Sequence, residues 1–363
     1  LYGAPLYGSA SRAETYHACP FRHFARYGLR LAPRREYREQ PADEGNFCHD
    51  ALCAFTRALT ESGKAPGAIC EEEVDAMLAR ILPELAQTHN NGILLDTPRN
   101  RALLARLCRR ISATAKAIVR QLAAGGFRVE GSEVEFGPGK PFPALTLELA
   151  GGGSYILSGR IDRVDAYESP SGETYVRVVD YKLGFKSLSY GEIDAGLALQ
   201  LPLYIRAVTA AAKAERRAAG MYYMRVREPS LPELDADEWM KKLNEQFRMA
   251  GISVRDAALL EAGGAGVVIP RANSMYTVGE ERFFEATSRA LARAKDAAAG
   301  ILEGRADAAP VRRSGGGTAC AYCDFPTLCA FDAQLPGCAY RSVKKMKADA
   351  FFSGEGGDGK LDA

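Results

Sequence analysis

Apolar residues recur at helical spacing through the first third of the chain. The pattern predicts helices over residues 45–59, 71–89 and 100–124, each with one apolar face. A helix start is also indicated at Ser11, whose side chain would cap the helix while Glu14, three residues on, completes a capping box. We therefore expect a mostly helical region before the first strand.

The pattern changes after residue 126 to short segments that are rich in β-branched and aromatic residues and separated by glycine and proline. These segments are predicted to form a meander of strands over residues 127–136, 142–149, 154–167 and 174–182. The following segments are predicted to be a helix at 196–213, a strand at 220–227, and helices at 233–250 and 274–302. Strands among helices predict an α/β fold, with a mixed central sheet flanked by helices.

These boundaries divide the chain into four parts. Residues 1–126 are expected to form a mostly helical N-terminal part, and residues 127–302 a core that contains the sheet. Residues 303–341 form an irregular segment that carries several cysteines. The glycine-rich composition of the end of residues 342–363 predicts a flexible tail.

Several features of the sequence predict the compartment in which the protein is found. No apolar run is long enough to span a bilayer, and no secretory signal opens the chain. The nine cysteines are an odd number, which disfavours a closed set of disulfides. We therefore expect a protein of the reducing cytoplasm with no membrane partner. Because residue 1 is Leu rather than Met, we also expect a fragment of a longer chain.

Charge changes this picture only locally. The formal net charge is +2 over 363 residues, so total charge gives no argument for binding nucleic acid. Basic and aromatic residues are interleaved near the start, at Arg22, His23, Phe24, Arg26 and Tyr27. This arrangement suits a single DNA strand, with charges on the backbone and rings on the bases. A solvated helix face would give the same pattern.

Two predicted strands end in charged residues. Residues two apart on a strand share a face, so Asp180 and Lys182 point the same way, and Asp162 reaches them if the two strands are neighbours. Carboxylates suit Mg²⁺ or Mn²⁺, which acidifies water and neutralises phosphate charge. The Lys182 ammonium would then stabilise developing charge. A surface salt bridge is the alternative explanation for an Asp-x-Lys pair.

Three further residues could complete such a site. His49 lies on the helix predicted over residues 45–59, where it is either a third metal ligand or a core histidine. Gln200 and Tyr204 are four residues apart and share one helix face, with Pro202 marking a helix start or kink. An amide can hydrogen-bond a phosphate or base, and a tyrosine can stack on a base.

The cysteines near the end have the spacing of a metal or cluster site. Cys320-x-x-Cys323-x5-Cys329 supplies three thiolates, and Cys19 and Cys338 are the candidates for a fourth. On spacing alone, zinc and an iron–sulfur cluster are both compatible with this set.

Four motifs, taken in order, resemble the RecB-type branch of the PD-(D/E)XK nucleases. They are Gly45-x-x-x-His49, Gly159-Arg-Ile-Asp-Arg-Val-Asp165, Val179-Asp-Tyr-Lys-x-Gly184 and Gln200-x-x-x-Tyr204. The resemblance implies a restriction-endonuclease-like fold in which His49, Asp162 and Asp180 bind the metal. It also implies that Lys182 is catalytic and that Gln200 and Tyr204 lie beside the active site.

The cysteines extend this resemblance to the AddB-type iron–sulfur nucleases, through Cys19-Pro20-Phe21 at one end and the three-cysteine motif at the other. It implies a 4Fe-4S cluster held by Cys19, Cys320, Cys323 and Cys329, which would staple the two chain ends together. It further implies an AddA-type helicase–nuclease partner, cleavage of the single, 5′-ended strand, and a role in double-strand-break repair by homologous recombination. The chain itself has no phosphate-binding loop for ATP.

Other functions remain open at the level of sequence. One is a stand-alone or CRISPR-associated RecB-type exonuclease, and another is a non-catalytic scaffold that binds DNA ends. A structural zinc site is the alternative for the cysteines.

Overall fold

The structure is a computed structural model that describes residues 2–3, 5–34, 36–150, 152–210, 215–233 and 235–353. The helices are α1 (Ala10–Ala18), α2 (Pro20–His23), α3 (Pro41–Glu61), α4 (Glu71–Thr88), α5 (Ile93–Asp96), α6 (Pro98–Ala123), α7 (Tyr190–Asp194), α8 (Gln200–Thr209), α9 (Ala236–Phe247), α10 (Ala257–Ala262), α11 (Glu280–Leu302), α12 (Pro326–Cys329) and α13 (Ala348–Phe352). The strands are β1 (Leu6–Gly8), β2 (Arg128–Phe136), β3 (Leu145–Glu148), β4 (Ser154–Leu157), β5 (Gly159–Glu168), β6 (Thr174–Lys182), β7 (Arg216–Arg225), β8 (Ala250–Val254), β9 (Thr277–Val278), β10 (Val311–Arg312) and β11 (Arg341–Ser342).

A six-stranded mixed sheet forms the centre of the fold, in the order β2-β5-β6-β7-β8-β9. The β6–β7 and β8–β9 pairs are parallel, and the other neighbours are antiparallel. The predicted α/β class and mixed central sheet are thereby confirmed. Strand β8 was missing from the sequence prediction, because its five residues follow a predicted helix without an intervening turn signal.

The two faces of the sheet bury different helices. Val176 and Val178 of β6 belong to the apolar core shared with α8 and α11, whereas Val179 and Tyr181 belong to the core shared with α3 and α6. Neighbouring residues of a strand point to opposite faces, so Asp180 lies on the α8 side.

The segment predicted as one strand over 154–167 is two strands in two sheets. β4 pairs with β1 and β3 in a separate three-stranded sheet, and β5 joins the central sheet. The chain changes sheet at Ser158, whose N–H donates to the Gly8 carbonyl at 3.0 Å. Gly159 then permits a close approach, since a Cβ there would lie 2.8 Å from the Phe136 ring.

The first helix does not begin as predicted. Ser9, not Ser11, is the N-cap of α1 and accepts the Arg12 N–H. Glu14 therefore takes no part in a capping box, and its carboxylate instead contacts the N-terminus of α8. The helix predicted over 196–213 is likewise shorter, with α8 beginning at Gln200.

The two ends of the chain lie against each other. The Phe21 N–H donates to the Asp307 carbonyl at 3.0 Å, and the Arg341 guanidinium donates to the His17 carbonyl at 2.6 Å. Within residues 342–363, predicted as a flexible tail, α13 buries Phe351 completely. Residues 354–363 lie outside the described residues. Within the described ranges, no helix is both long and apolar enough to cross a membrane.

Candidate active site

The charged residues at the ends of β5 and β6 meet where the two strands part. The β5–β6 ladder runs as far as Arg163 opposite Val179. Beyond it, the Asp162 carboxylate, rather than a backbone carbonyl, accepts the Tyr181 N–H at 2.7 Å. The side chain thus satisfies a buried backbone donor and is fixed beside Asp180.

Asp180 is fully buried among three polar neighbours. Its carboxylate is 2.5 Å from the Lys182 ammonium and accepts a 2.6 Å hydrogen bond from the Gln200 amide. Burial, followed by the negative charge of Asp162, raises the pKa of Asp180 to about 6. The negative charge of Asp162 therefore opposes the ionisation of Asp180, and a cation between the two carboxylates would relieve that cost.

His49 reaches the same place from α3, on the other side of the sheet. Its Nδ1 is 3.1 Å from the Asp162 carboxylate and its Nε2 is 2.6 Å from the Tyr181 carbonyl oxygen. Burial lowers the pKa of His49, but the hydrogen bond and charge of Asp162 outweigh burial and raise the pKa overall. Both ring nitrogens face acceptors, so metal ligation by His49 requires one of these contacts to be released.

Gln200 and Tyr204 share the face of α8 that covers Asp180. The Gln200 amide also donates to the Tyr204 hydroxyl at 3.2 Å, and burial raises the pKa of Tyr204. The Glu14 carboxylate accepts the Leu199 N–H at 2.7 Å and the Gln200 N–H at 3.1 Å. Glu14 of α1 thus caps α8 from outside and fixes the residue that holds Asp180.

Tyr223 was not singled out in the sequence. It pairs with Asp180 in the parallel β6–β7 ladder, and its buried hydroxyl has no hydrogen-bond partner among the described residues. The ammonium groups of Lys182 and Lys186 lie 5.8 and 4.8 Å from its ring centre. Only the alternation of β7 could have placed this ring beside Asp180, and that requires knowing the register of β6 and β7.

Two neighbouring acidic residues have structural partners. Asp165, of the same motif as Asp162, lies on the opposite face, where it accepts hydrogen bonds from Arg163 at 3.1 Å and Arg177 at 2.9 Å. Glu133 forms ion pairs with Arg57 and Arg160 on β5.

The basic cluster predicted near the N-terminus is only partly on the surface. His23 is 1% exposed and accepts a hydrogen bond from Arg12 at 3.3 Å, so it cannot contact a DNA strand. Arg22 donates to the Tyr322 carbonyl at 2.9 Å, and Arg26 stacks on Tyr27.

The predicted cluster cysteines lie in one neighbourhood. Burial raises the pKa of the Cys19 thiol, the N–H groups of Arg22 and Phe21 oppose that rise, and Cys329 adds to it. Burial also raises the pKa of Cys320, and Cys323 and Cys329 contribute to the rise. Cys19, from the start of the chain, therefore lies within electrostatic reach of Cys329, near its end.

Neither the carboxylate site nor the cysteine segment forms a complete metal centre in the described part of the chain. No three histidine, cysteine or carboxylate side chains are arranged there to hold one ion. The donor sets nevertheless suit the groups that the sequence implies. Carboxylate oxygens suit a hard divalent cation, and cysteine thiols, with backbone N–H donors at the Cys19 sulfur, suit either zinc or a thiolate-held cluster.

The profile of the PD-(D/E)XK nuclease superfamily matches residues 8–330. The chain belongs to the PD-(D/E)XK nuclease superfamily. This membership confirms the predicted fold type and nuclease class, and nucleases of this superfamily depend on a divalent metal. Asp162, Asp180 and Lys182 all lie inside the matched region.

Curated relatives narrow the resemblance within the PD-(D/E)XK superfamily. Three of them are named as subunits of an ATP-dependent helicase/deoxyribonuclease. The one from Desulforudis audaxviator is 35% identical over 96% of this chain and 31% of its own length. Those from Symbiobacterium thermophilum and Moorella thermoacetica are each 33% identical, over 99% and 96% of this chain and 33% and 32% of their own lengths. The chain thus spans about a third of the length of these relatives.

Proposed function

We propose that this chain is the nuclease part of an AddAB-type helicase–nuclease and that it hydrolyses the single, 5′-ended strand of unwound DNA. The observation that carries the proposal is the buried Asp162–Asp180 pair, with Lys182 and Gln200 bonded to Asp180 at the parting ends of β5 and β6. The similarity to the helicase/deoxyribonuclease proteins supports the larger assembly.

In this proposal, each residue of the site has a separate task. Asp162 and Asp180, with His49 once it exchanges a hydrogen bond, would hold Mg²⁺ or Mn²⁺. When bound, the metal supplies positive charge against the phosphate and lowers the pKa of water. The Lys182 side chain is 26% exposed, and its ammonium contacts Asp180. This ammonium would stabilise negative charge on the phosphate oxygens. Gln200 orients the Asp180 carboxylate, and Tyr204 limits the rotation of the Gln200 amide.

Cys19, Cys320, Cys323 and Cys329 would hold a 4Fe-4S cluster with a structural role. It would join α1 and α2 to the segment after α11, where backbone and arginine hydrogen bonds already connect the two ends. Closing a loop of about three hundred residues removes conformational entropy from the unfolded chain.

The wider role rests on the names of the relatives. An AddA-type partner would supply ATP-driven unwinding in the cytoplasm, and the combined activity would process double-strand breaks for homologous recombination. Neither a stand-alone nuclease nor an inactive scaffold is favoured by these relatives.

Asp180→Asn tests the proposed reaction centre. We expect the rate of single-stranded DNA cleavage in Mg²⁺ to fall by about a thousandfold or more, because the change removes a charged metal ligand. Binding of the same DNA in EDTA should persist. Asp349→Asn is the matched control, since its carboxylate is 96% exposed. Cleavage by Asp180→Asn at the wild-type rate would place the activity elsewhere, and an inactive wild-type chain that binds DNA would favour the scaffold.

A further inference from the structure

The loop between β6 and α7 carries an exposed aromatic side chain directly after the catalytic motif. Phe185 is 79% exposed, three residues beyond Lys182, whereas Leu188 in the same loop is 2% exposed. Exposing a phenylalanine forgoes the hydrophobic stabilisation that burial of its ring would give. The loop is therefore anchored at Leu188 and presents the Phe185 ring to the surroundings.

The surface around Phe185 is cationic. The Arg225 guanidinium lies 6.0 Å from the Phe185 ring centre, and Arg225 is the register partner of Lys182. The Lys186 ammonium rests over the Tyr223 ring. No carboxylate of the described residues lies within 4 Å of Lys186 or Arg225. The nearby Glu14 accepts two backbone N–H groups instead, and the charge of Lys186 opposes the rise in the pKa of Glu14 that burial causes.

This surface is continuous with the reaction centre. A cleft of about 500 Å³ is lined by Lys182, Phe185 and Lys186, and also by Arg313 and Glu192, which form an ion pair. From Asp180 outward, the order is a buried carboxylate, an ammonium, a cationic rim and then an exposed ring. That order matches a nucleotide chain, whose phosphate enters the site while a neighbouring base lies outside it.

We infer that Phe185 is a stacking platform for an unpaired base next to the scissile phosphate, with Lys186 and Arg225 contacting the flanking backbone phosphates. The inference rests on the proposed nuclease function and adds a residue that would bind the single strand beside the site of cleavage. A base in a duplex is already paired and stacked, so it is not free to lie on the ring. Any base offers a π-face, so the platform accepts all sequences.

The test measures binding apart from cleavage. In EDTA, the anisotropy of a labelled oligothymidylate is followed with wild type, Phe185→Ala and the control Phe284→Ala. Phe284 of α11 is also exposed, at 57%, and also lies beneath an arginine. We expect Phe185→Ala to weaken binding by about fivefold or more, the value of one stacked base, while Phe284→Ala binds like wild type. Equal affinities for all three proteins would overturn the platform.

A spectroscopic signal separates stacking from a general loss of structure. Trp239 is the only tryptophan, so Phe185→Trp in a Trp239→Phe background reports on position 185 alone. We expect retained affinity and quenched fluorescence when the oligothymidylate binds. Unchanged emission at saturation would contradict stacking.

Two further comparisons define the ligand. Lys186→Ala and Arg225→Ala should each reduce the salt dependence of single-strand binding by about 0.7 in log–log slope, while the exposed Lys241→Ala should not. A duplex of equal length should bind wild type and Phe185→Ala alike. Equal weakening on duplex DNA would overturn the single-strand assignment. If Phe185→Ala spares DNA binding but loses the helicase partner, the ring is a protein contact and the platform is wrong.

The outcomes also separate this inference from the proposed function. If the wild-type chain cleaves DNA and Phe185→Ala binds DNA with unchanged affinity, the proposed nuclease function stands and the stacking platform is wrong. If the wild-type chain does not cleave DNA but its binding of single-stranded DNA depends on Phe185, the stacking of a base on Phe185 stands and the proposed nuclease function is wrong.

Discussion

A short series of polar contacts connects the first helix to the reaction centre. Glu14 caps α8 at Leu199 and Gln200, the Gln200 side chain holds Asp180, and Asp180 contacts Lys182. Burial raises the pKa of Glu14, while Lys186 and the two N–H groups oppose that rise. Glu14 is therefore a positioning residue that acts through Gln200.

Replacing Glu14 should affect turnover more than DNA binding. Glu14→Ala removes the oxygen that accepts two N–H groups at the α8 N-terminus, so we expect a loss of about 1 to 2 kcal/mol in unfolding free energy and a lower cleavage rate. Glu14→Gln keeps a carbonyl acceptor and should recover most of the rate. Single-turnover cleavage and urea unfolding measure the two effects. If the Gln variant is as slow as the Ala variant, the charge of Glu14, rather than its cap, matters.

Strands β5 and β6 carry charged residues on both faces, with different consequences. On the α8 face, Asp180 keeps a partly exposed lysine beside it. On the opposite face, Asp165 lies between Arg163 and Arg177 with no more than 3% exposure for any of the three side chains. This second group binds the strands together beneath the site and has no route to substrate.

Removing the charge of Asp165 should destabilise the sheet. Asp165→Asn leaves two buried guanidinium groups without their shared carboxylate, so we expect a loss of about 3 to 5 kcal/mol in unfolding free energy. Urea denaturation measures this change. Glu228→Gln, which breaks an exposed pair with Arg109, should leave stability nearly unchanged. A small effect at Asp165 would mean that another group compensates the two arginines.

At the scale of the whole molecule, hydrogen bonds connect the N-terminal helices to the segment that follows α11. Arg341 donates a hydrogen bond to the backbone of α1, and the charge of Cys329 adds to the rise in the pKa of the Cys19 thiol. A cluster held by Cys19 and the C-terminal cysteines would add metal–thiolate bonds to the hydrogen bonds that already connect these two segments.

Cys320→Ser tests whether a cluster connects these two segments, and Cys338→Ser is its matched control from the same segment. Purified without air, the wild-type protein should be brown and contain about four irons per chain. Cys320→Ser should lose the iron and the colour and melt at a lower temperature, while Cys338→Ser keeps all three properties. Zinc in place of iron would replace the cluster with a zinc site, and iron loss in Cys338→Ser would change the ligand set.

The sequence by itself determined what depends on local periodicity. A strand repeats every two residues, so Asp180 and Lys182 had to share a face, and the helical repeat placed Gln200 above Tyr204. Strand and helix patterns also predicted the α/β class, because burying one face of each element leaves few architectures.

Only the tertiary structure decided how distant segments meet. Glu14 looks like a local helix cap in the sequence, but it caps a helix that begins 186 residues later. Asp162 lies beside Asp180 because β5 pairs with β6 in the register that sets Arg163 opposite Val179. His49 reaches Asp162 through the packing of α3 on the sheet. Such contacts depend on which elements pack together and in what register, and neither is encoded in the periodicity of one segment.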